Sequence, residues 1–80
     1  MERAEVKDTV FKMVAKTFGI SVEDLCEETT ADDVDGWDSL AHATLLVRLE
    51  KAFNADIGME GSFAQNLGVL VDLVSSKVDR

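Results

Sequence analysis

The chain is 80 residues long, 46% apolar and free of proline, with 8 Lys and Arg against 16 Asp and Glu for a net charge of −8. Its 1 cysteine excludes an intrachain disulfide, and with 1 histidine it leaves too few soft ligands for a structural zinc site. An acidic surplus of this size repels nucleic acid and anionic lipid, so neither is expected as a partner.

A chain of this length makes one domain, and without staples its stability must come from packed apolar faces. The N-terminal stretch carries Glu2, Arg3, Glu5, Lys7, Asp8, Lys12 and Lys16, which leaves no uninterrupted apolar signal region. No run approaches the roughly 20 apolar residues that span a bilayer. An unpartnered cysteine suits a reducing compartment, and the expected location is cytoplasmic.

Spacing near 3.6 residues predicts an all-helical domain. The first helix runs from about Arg3 to Phe18: Val6, Val10, Val14 and Phe18 form one row, and Phe11 and Ala15 widen it. Lys7, Asp8, Lys12 and Lys16 take the opposite side. Gly19 fits the left-handed position after the helix, with Ile20 folding back as its apolar partner. Ser21-Val22-Glu23-Asp24 resembles a capping box and predicts a turn that pins Leu25 into the core.

Cys26 to Asp38 reads as a long acidic loop, rich in turn and cap formers. A loop of that length in so small a domain is often functional. Half of the acids of the chain lie between Glu23 and Asp38, and no Lys or Arg falls between Lys16 and Arg48. Such a field steers basic protein surfaces inward, although solubility alone is the plainer reading of an acidic small domain. Cys26, followed by Glu27 and Glu28, is disfavoured as a thiolate and reads as an inert half-buried residue.

The second helix spans about Ser39 to Phe53: Leu46, Leu49 and Phe53 form one row, Leu45, Leu49 and Ala52 another, Leu40 with Ala43 extends the face, and Asn54 is its left-handed stop. Ala55 to Gly61 connects, with Ile57 and Met59 as inward anchors, and a short third helix is expected around Ser62 to Gln65. Asn66 caps the last helix, whose stripe is Leu67, Leu70, Val71, Val74 and Val78. Gly68 in its first turn costs roughly 1 kcal/mol relative to Ala, which predicts close packing there. The expected fold is all-α, an irregular four-helix bundle of three long helices and one short one, with a long loop after the first.

Candidate chemistry concentrates at Gly36-Trp37-Asp38-Ser39-Leu40. A primary hydroxyl at a helix mouth sits where backbone N–H groups are unpaired and the helix dipole is positive, a setting that stabilises an attached phosphodiester. The structural alternative is that Asp38 or Ser39 merely caps the helix, since both residue types are favoured there. A calcium loop ending in Asp33-Val34-Asp35-Gly36 fails, because its first and last positions would be Ala31 and His42. A Ser39–His42 hydrolase would need an orienting acid, an oxyanion hole and a pocket that a small bundle has little room for.

Asp35-Gly36-Trp37-Asp38-Ser39-Leu40, followed by Leu45, Leu49, Glu50 and Phe53, resembles the attachment segment of acyl carrier proteins. The likeness extends over most of the chain and implies a single acyl-carrier-like domain over residues 1–80. It implies a monomeric carrier with no catalytic residue of its own. Ser39 would receive 4′-phosphopantetheine from coenzyme A through a phosphopantetheinyl transferase. The arm's thiol would hold acyl groups as thioesters for acyl-loading, acyl-transfer or condensing enzymes. Asp35, Asp38, Leu40 and His42 are the expected partner contacts around it.

Each of those residues also has a bland reading. Asp38 is an orienting carboxylate or only a cap. Leu40 is half core and half contact. His42, one turn from Ser39, is a solvated surface residue or a partner-specific contact. Trp37 packs the loop onto the bundle or meets partner or cargo. Carriers of primary fatty acid synthesis have a strongly acidic second helix, whereas Ala41, Thr44, Lys51 and Ala52 stand at the matching positions here, and Arg48 adds charge. That departure implies a specialised fatty acid, polyketide or other secondary pathway whose partners read the acidic loop more than the second helix. An aminoacyl or peptidyl carrier is the alternative within the class, though Trp37 stands where such carriers usually have a second glycine. A non-enzymatic acidic adaptor without a prosthetic group is the alternative outside it.

Overall fold

The computed structural model describes residues 2–57 and 64–78. Three α-helices carry the fold: α1 is Arg3–Phe18, α2 is Ser39–Phe53 and α3 is Leu67–Val78. Two 3-10 turns, Val22–Asp24 and Ala31–Asp33, punctuate the segment between α1 and α2. The expected all-α architecture and the bounds of the three long helices match the sequence periodicity. The expected short helix falls largely on residues outside those described, as does Met59; Ala64 and Gln65, its described part, lie outside any helix.

The apolar rows meet in one core. Val6, Val10 and Val14 from α1, Leu45 and Leu49 from α2, and Leu67, Val71 and Val74 from α3 are completely buried. Ile57 joins them as predicted, and Leu25 is pinned into the same cluster. Burial of such side chains supplies about 1.5–3 kcal/mol each, and α1 gains it from both partners because it packs on α2 and α3.

Helix ends are fixed by local chemistry. Gly19 at φ 67° lets its own N–H and that of Ile20 turn back onto the Ala15 carbonyl, closing α1. Asn54 at φ 51° does the same for α2, where the Asn54 and Ala55 amides donate to the Glu50 carbonyl. Asn66 begins α3 by accepting the Val69 amide on Oδ1 at 2.9 Å.

The loop after α1 is more structured than its composition implied. Ser21 accepts from Glu23 N–H at 3.2 Å, while the Asp24 amide bonds the Ser21 carbonyl; the reciprocal capping pair read from the sequence does not form. A comparable arrangement stands nine residues on, where Asp33 Oδ2 accepts from Thr30 N–H at 3.0 Å and from its hydroxyl at 3.2 Å. Val34 and Thr29 are buried, and Thr29 Oγ1 accepts the Cys26 amide at 2.9 Å. Cys26 itself is exposed, not half-buried, because Thr29 takes the inward place in that turn.

Two bonds dock this loop on α3. Leu67 N–H donates to the Thr29 carbonyl at 3.0 Å and Gly68 N–H to the Glu27 carbonyl at 2.8 Å. Amides at a helix start have no partner inside the helix, so the loop supplies two that α3 lacks. The approach favours glycine: a Cβ on Gly68 would stand 3.1 Å from Glu27 Cβ and 3.2 Å from its carbonyl oxygen, and the loop would have to give by a few tenths of an ångström.

A charge cluster holds the same joint from outside. Arg3 bonds Glu27 Oε1 at 2.7 Å and Asp72 Oδ1 at 2.6 Å, and Lys7 lies 3.3 Å from Glu27 Oε2. The bond from Arg3, and after it that from Lys7, lowers the Glu27 carboxyl to about 2, while the bonds to Glu27 and then Asp72 raise the Arg3 guanidinium above its ordinary value. Among the described residues no helix is long and apolar enough to cross a membrane.

Candidate functional site

Ser39 is positioned by the residues just before it and by their contact with α1. Gly36 at φ 85° turns the chain after the buried Val34, a conformation in which a side chain would be strained. Trp37 then folds inward, half-buried, and its ring stacks on Phe18 of α1 with centroids 4.8 Å apart. The loop is therefore fastened to the bundle immediately before α2 begins.

Asp38 is the N-cap. Its Oδ1 accepts from Ala41 N–H at 2.8 Å, and its carbonyl accepts the first intrahelical bond, from His42 N–H at 2.9 Å. The two capping readings of the sequence thus separate: Asp38 caps, and Ser39 does not. Ser39 is the first residue of α2 and is exposed, and its hydroxyl makes no hydrogen bond among the described residues. The Ser39 and Leu40 amides are the two first-turn donors that neither the cap nor the helix uses. A free hydroxyl thus stands at the positive end of a helix dipole, beside open amide donors.

The other expected contacts divide between two grooves. Asp38, Ser39 and His42 line an open groove of about 700 Å³ with Trp37, Leu46 and Ala64. Asp35, Asp38 and Leu40 line a second, of about 500 Å³, with Phe18, Thr44 and Arg48. Asp38 borders both, so Asp35 and Leu40 approach Ser39 from the side of α2 away from His42.

Ala43 and Ala52, expected on the inner face of α2, are exposed, and two of the expected contacts also differ from expectation. Leu40 has no share in the core: it is 77% exposed, because the turn at Gly36 points the first residues of α2 into solvent. His42 is half-buried, and its Nδ1 accepts from Trp37 Nε1–H at 2.9 Å. That bond was missed in the sequence, though its spacing offers a signal. Trp37 precedes the N-cap and His42 is the fourth helical residue, the two positions that an apolar staple occupies at a helix start. Further along, Arg48 and Lys51 are exposed and form no ion pair among the described residues, whereas Arg3, Lys7 and Lys12 all do.

No family model and no curated protein matches the chain. Among solved structures, the holo acyl carrier protein from Geobacter metallireducens, determined by solution NMR, is 34% identical. The match covers 94% of this chain and 87% of that one, with a TM-score of 0.78. Identity at that level over nearly the whole length, on the same helical fold, makes this chain a member of the acyl carrier protein family, a carrier and not an enzyme.

Proposed function

We propose that Ser39 is the attachment point of a 4′-phosphopantetheine arm and that this protein carries acyl groups as thioesters on it. One observation carries the reading: Asp38 takes over the capping of α2, which leaves the Ser39 hydroxyl exposed and uncommitted at the helix mouth. The residues suit such a group. The exposed side chain lets an arm leave the bundle without displacing any core residue, and the unpaired amides and helix dipole favour a phosphodiester.

In the transfer, Ser39 Oγ forms a bond to the pantetheine-side phosphorus of coenzyme A. The pyrophosphate P–O bond breaks, and adenosine 3′,5′-bisphosphate leaves with the electron pair. Ser39 has no base of its own within the described hydrogen bonds, so its proton passes to the transferase, whose metal and base activate it. The attached arm supplies a thiol for acyl exchange. The remaining work of this chain is presentation: Asp35 and Asp38 flank Ser39 and draw basic partner surfaces, and Leu40 offers an apolar contact beside it.

The exposed Arg48 and Lys51 and the neutral Ala41 and Thr44 on α2 support partners other than those of primary fatty acid synthesis. Incubation with coenzyme A and a broad-specificity phosphopantetheinyl transferase tests the assignment. The wild type gains one phosphopantetheinyl mass and Ser39→Ala gains none. A wild type that stays bare, or a variant that is still loaded, overturns it.

A further inference from the structure

The Trp37–His42 bond spans Ser39. Trp37 lies two residues before it and His42 three after, and the bond between Nε1–H and Nδ1 measures 2.9 Å with the ring planes 24° apart. Trp37 is anchored behind by its stack on Phe18, so α1, the loop and the first turn of α2 are joined through these rings. Accepting at Nδ1 puts the proton of the neutral imidazole on Nε2. An ordinary staple fixes the entry angle of the chain by apolar contact alone. Here the contact is also a directional hydrogen bond.

The core does not require this bond. Trp37 is only half-buried, and its ring already stacks on Phe18 without this bond. Asp38 already caps α2. The bond instead adds a restraint on the stretch from Trp37 to His42, in which Ser39 is the exposed hydroxyl.

We infer that Trp37 and His42 are positioning residues for the modification of Ser39: their hydrogen bond holds the loop against the first turn of α2, so that the hydroxyl meets the transferase in one orientation. The inference rests on the reading of Ser39 as the attachment point. Alignment of a nucleophile within about 1 Å is worth up to about 100-fold in rate, so loss of such a restraint is measurable without loss of the fold.

The test uses the full chain in four variants. Trp37→Phe keeps the stack on Phe18 and removes the donor. His42→Ala removes the acceptor. His42→Asn places an amide oxygen close to the position of Nδ1, and His42→Gln carries it one carbon further. Two readouts are taken: solvent exchange of the Trp37 indole N–H by NMR, and kcat/KM for phosphopantetheine transfer from coenzyme A, with the thermal midpoint of each variant measured alongside.

The indole N–H is expected to be protected in the wild type and His42→Asn and to exchange rapidly in His42→Ala and His42→Gln. Transfer is expected to slow by about tenfold in Trp37→Phe, His42→Ala and His42→Gln and to recover in His42→Asn, without following the thermal midpoints. Rates that stay at the wild-type value while the indole becomes exposed overturn the inference but leave Ser39 as the attachment point. So do rates that track thermal stability, or an indole N–H unprotected in the wild type. A wild type that accepts no arm at all removes both.

Discussion

Gly68→Ala sets two effects of opposite sign against each other at the joint between the acidic loop and α3. Exchange of glycine for alanine inside a helix ordinarily stabilises by about 1 kcal/mol, because the unfolded chain loses freedom and the helix gains propensity. Here the added methyl would sit 3.1 Å from Glu27 Cβ, 3.1 Å from its Oε1 and 3.2 Å from its carbonyl oxygen. The carboxylate end could swing away, but the other two atoms have little room. Their carbonyl is held by Gly68 N–H at 2.8 Å, the next bond of the loop runs from Leu67 to Thr29 at 3.0 Å, and Arg3 grips the side chain at 2.7 Å.

Overpacking of this kind costs about 1–3 kcal/mol, which exceeds the propensity gain. The expected outcome is a net loss of about 1 kcal/mol. In a domain of this size that loss lowers the thermal midpoint by about 4–8 °C. Circular dichroism melts of the two proteins, with urea titrations to confirm two-state behaviour, supply the measurement. A midpoint that rises, as at an unobstructed helical site, would refute the claim that the loop is fixed against α3.

Three further outcomes follow from the bonds already described. The carboxyl of Glu27 is held at about 2 against an ordinary 4.5, so the folded state binds fewer protons than the unfolded state between those values. Its contribution is whole above about pH 4.5 and disappears as pH falls towards 2; Glu27→Gln should flatten that part of a plot of urea midpoint against pH, and an unchanged slope contradicts it. Asp38→Ala should lose about 1 kcal/mol of thermal stability while Asp38→Asn, which caps equally well, loses little; equal losses would show that the cap bond to Ala41 is not what matters. Leu49→Ala empties a completely buried position and should cost about 2–5 kcal/mol in urea denaturation, with a loss under 1 kcal/mol showing that the core collapses around it.

The helices were legible because their signals are local. Val6, Val10 and Val14 repeat every four residues, and Gly19, Asp38, Asn54 and Asn66 are residue types whose backbone or side-chain chemistry ends or begins a helix. Ser39 was legible as a candidate by its place at such a boundary. Its freedom was not, because Asp38 and Ser39 cap helices about equally well and only the observed bond from Ala41 to Asp38 decides between them.

The acidic loop was the least legible segment. Its order depends on partners far along the chain: Arg3 meets Glu27 24 positions away and Asp72 69 positions away, and the Glu27 and Thr29 carbonyls meet amides of α3. No spacing rule within the loop announces such contacts. Composition alone made the loop look open, and Cys26 looked half-buried where Thr29 in fact takes the inward place. His42 looked solvated for a different reason: it is not an apolar residue, although it and Trp37 stand at the staple positions on either side of the helix boundary.

The carbonyls of Glu27 and Thr29 find their donors only at residues 67 and 68. During synthesis, which proceeds from the N-terminus, the stretch leading to Ser39 emerges well before the start of α3 that anchors it. Completion of the acidic segment is thus tied to the synthesis of α3, and a nascent fragment ending short of it has the serine without the finished platform beneath it.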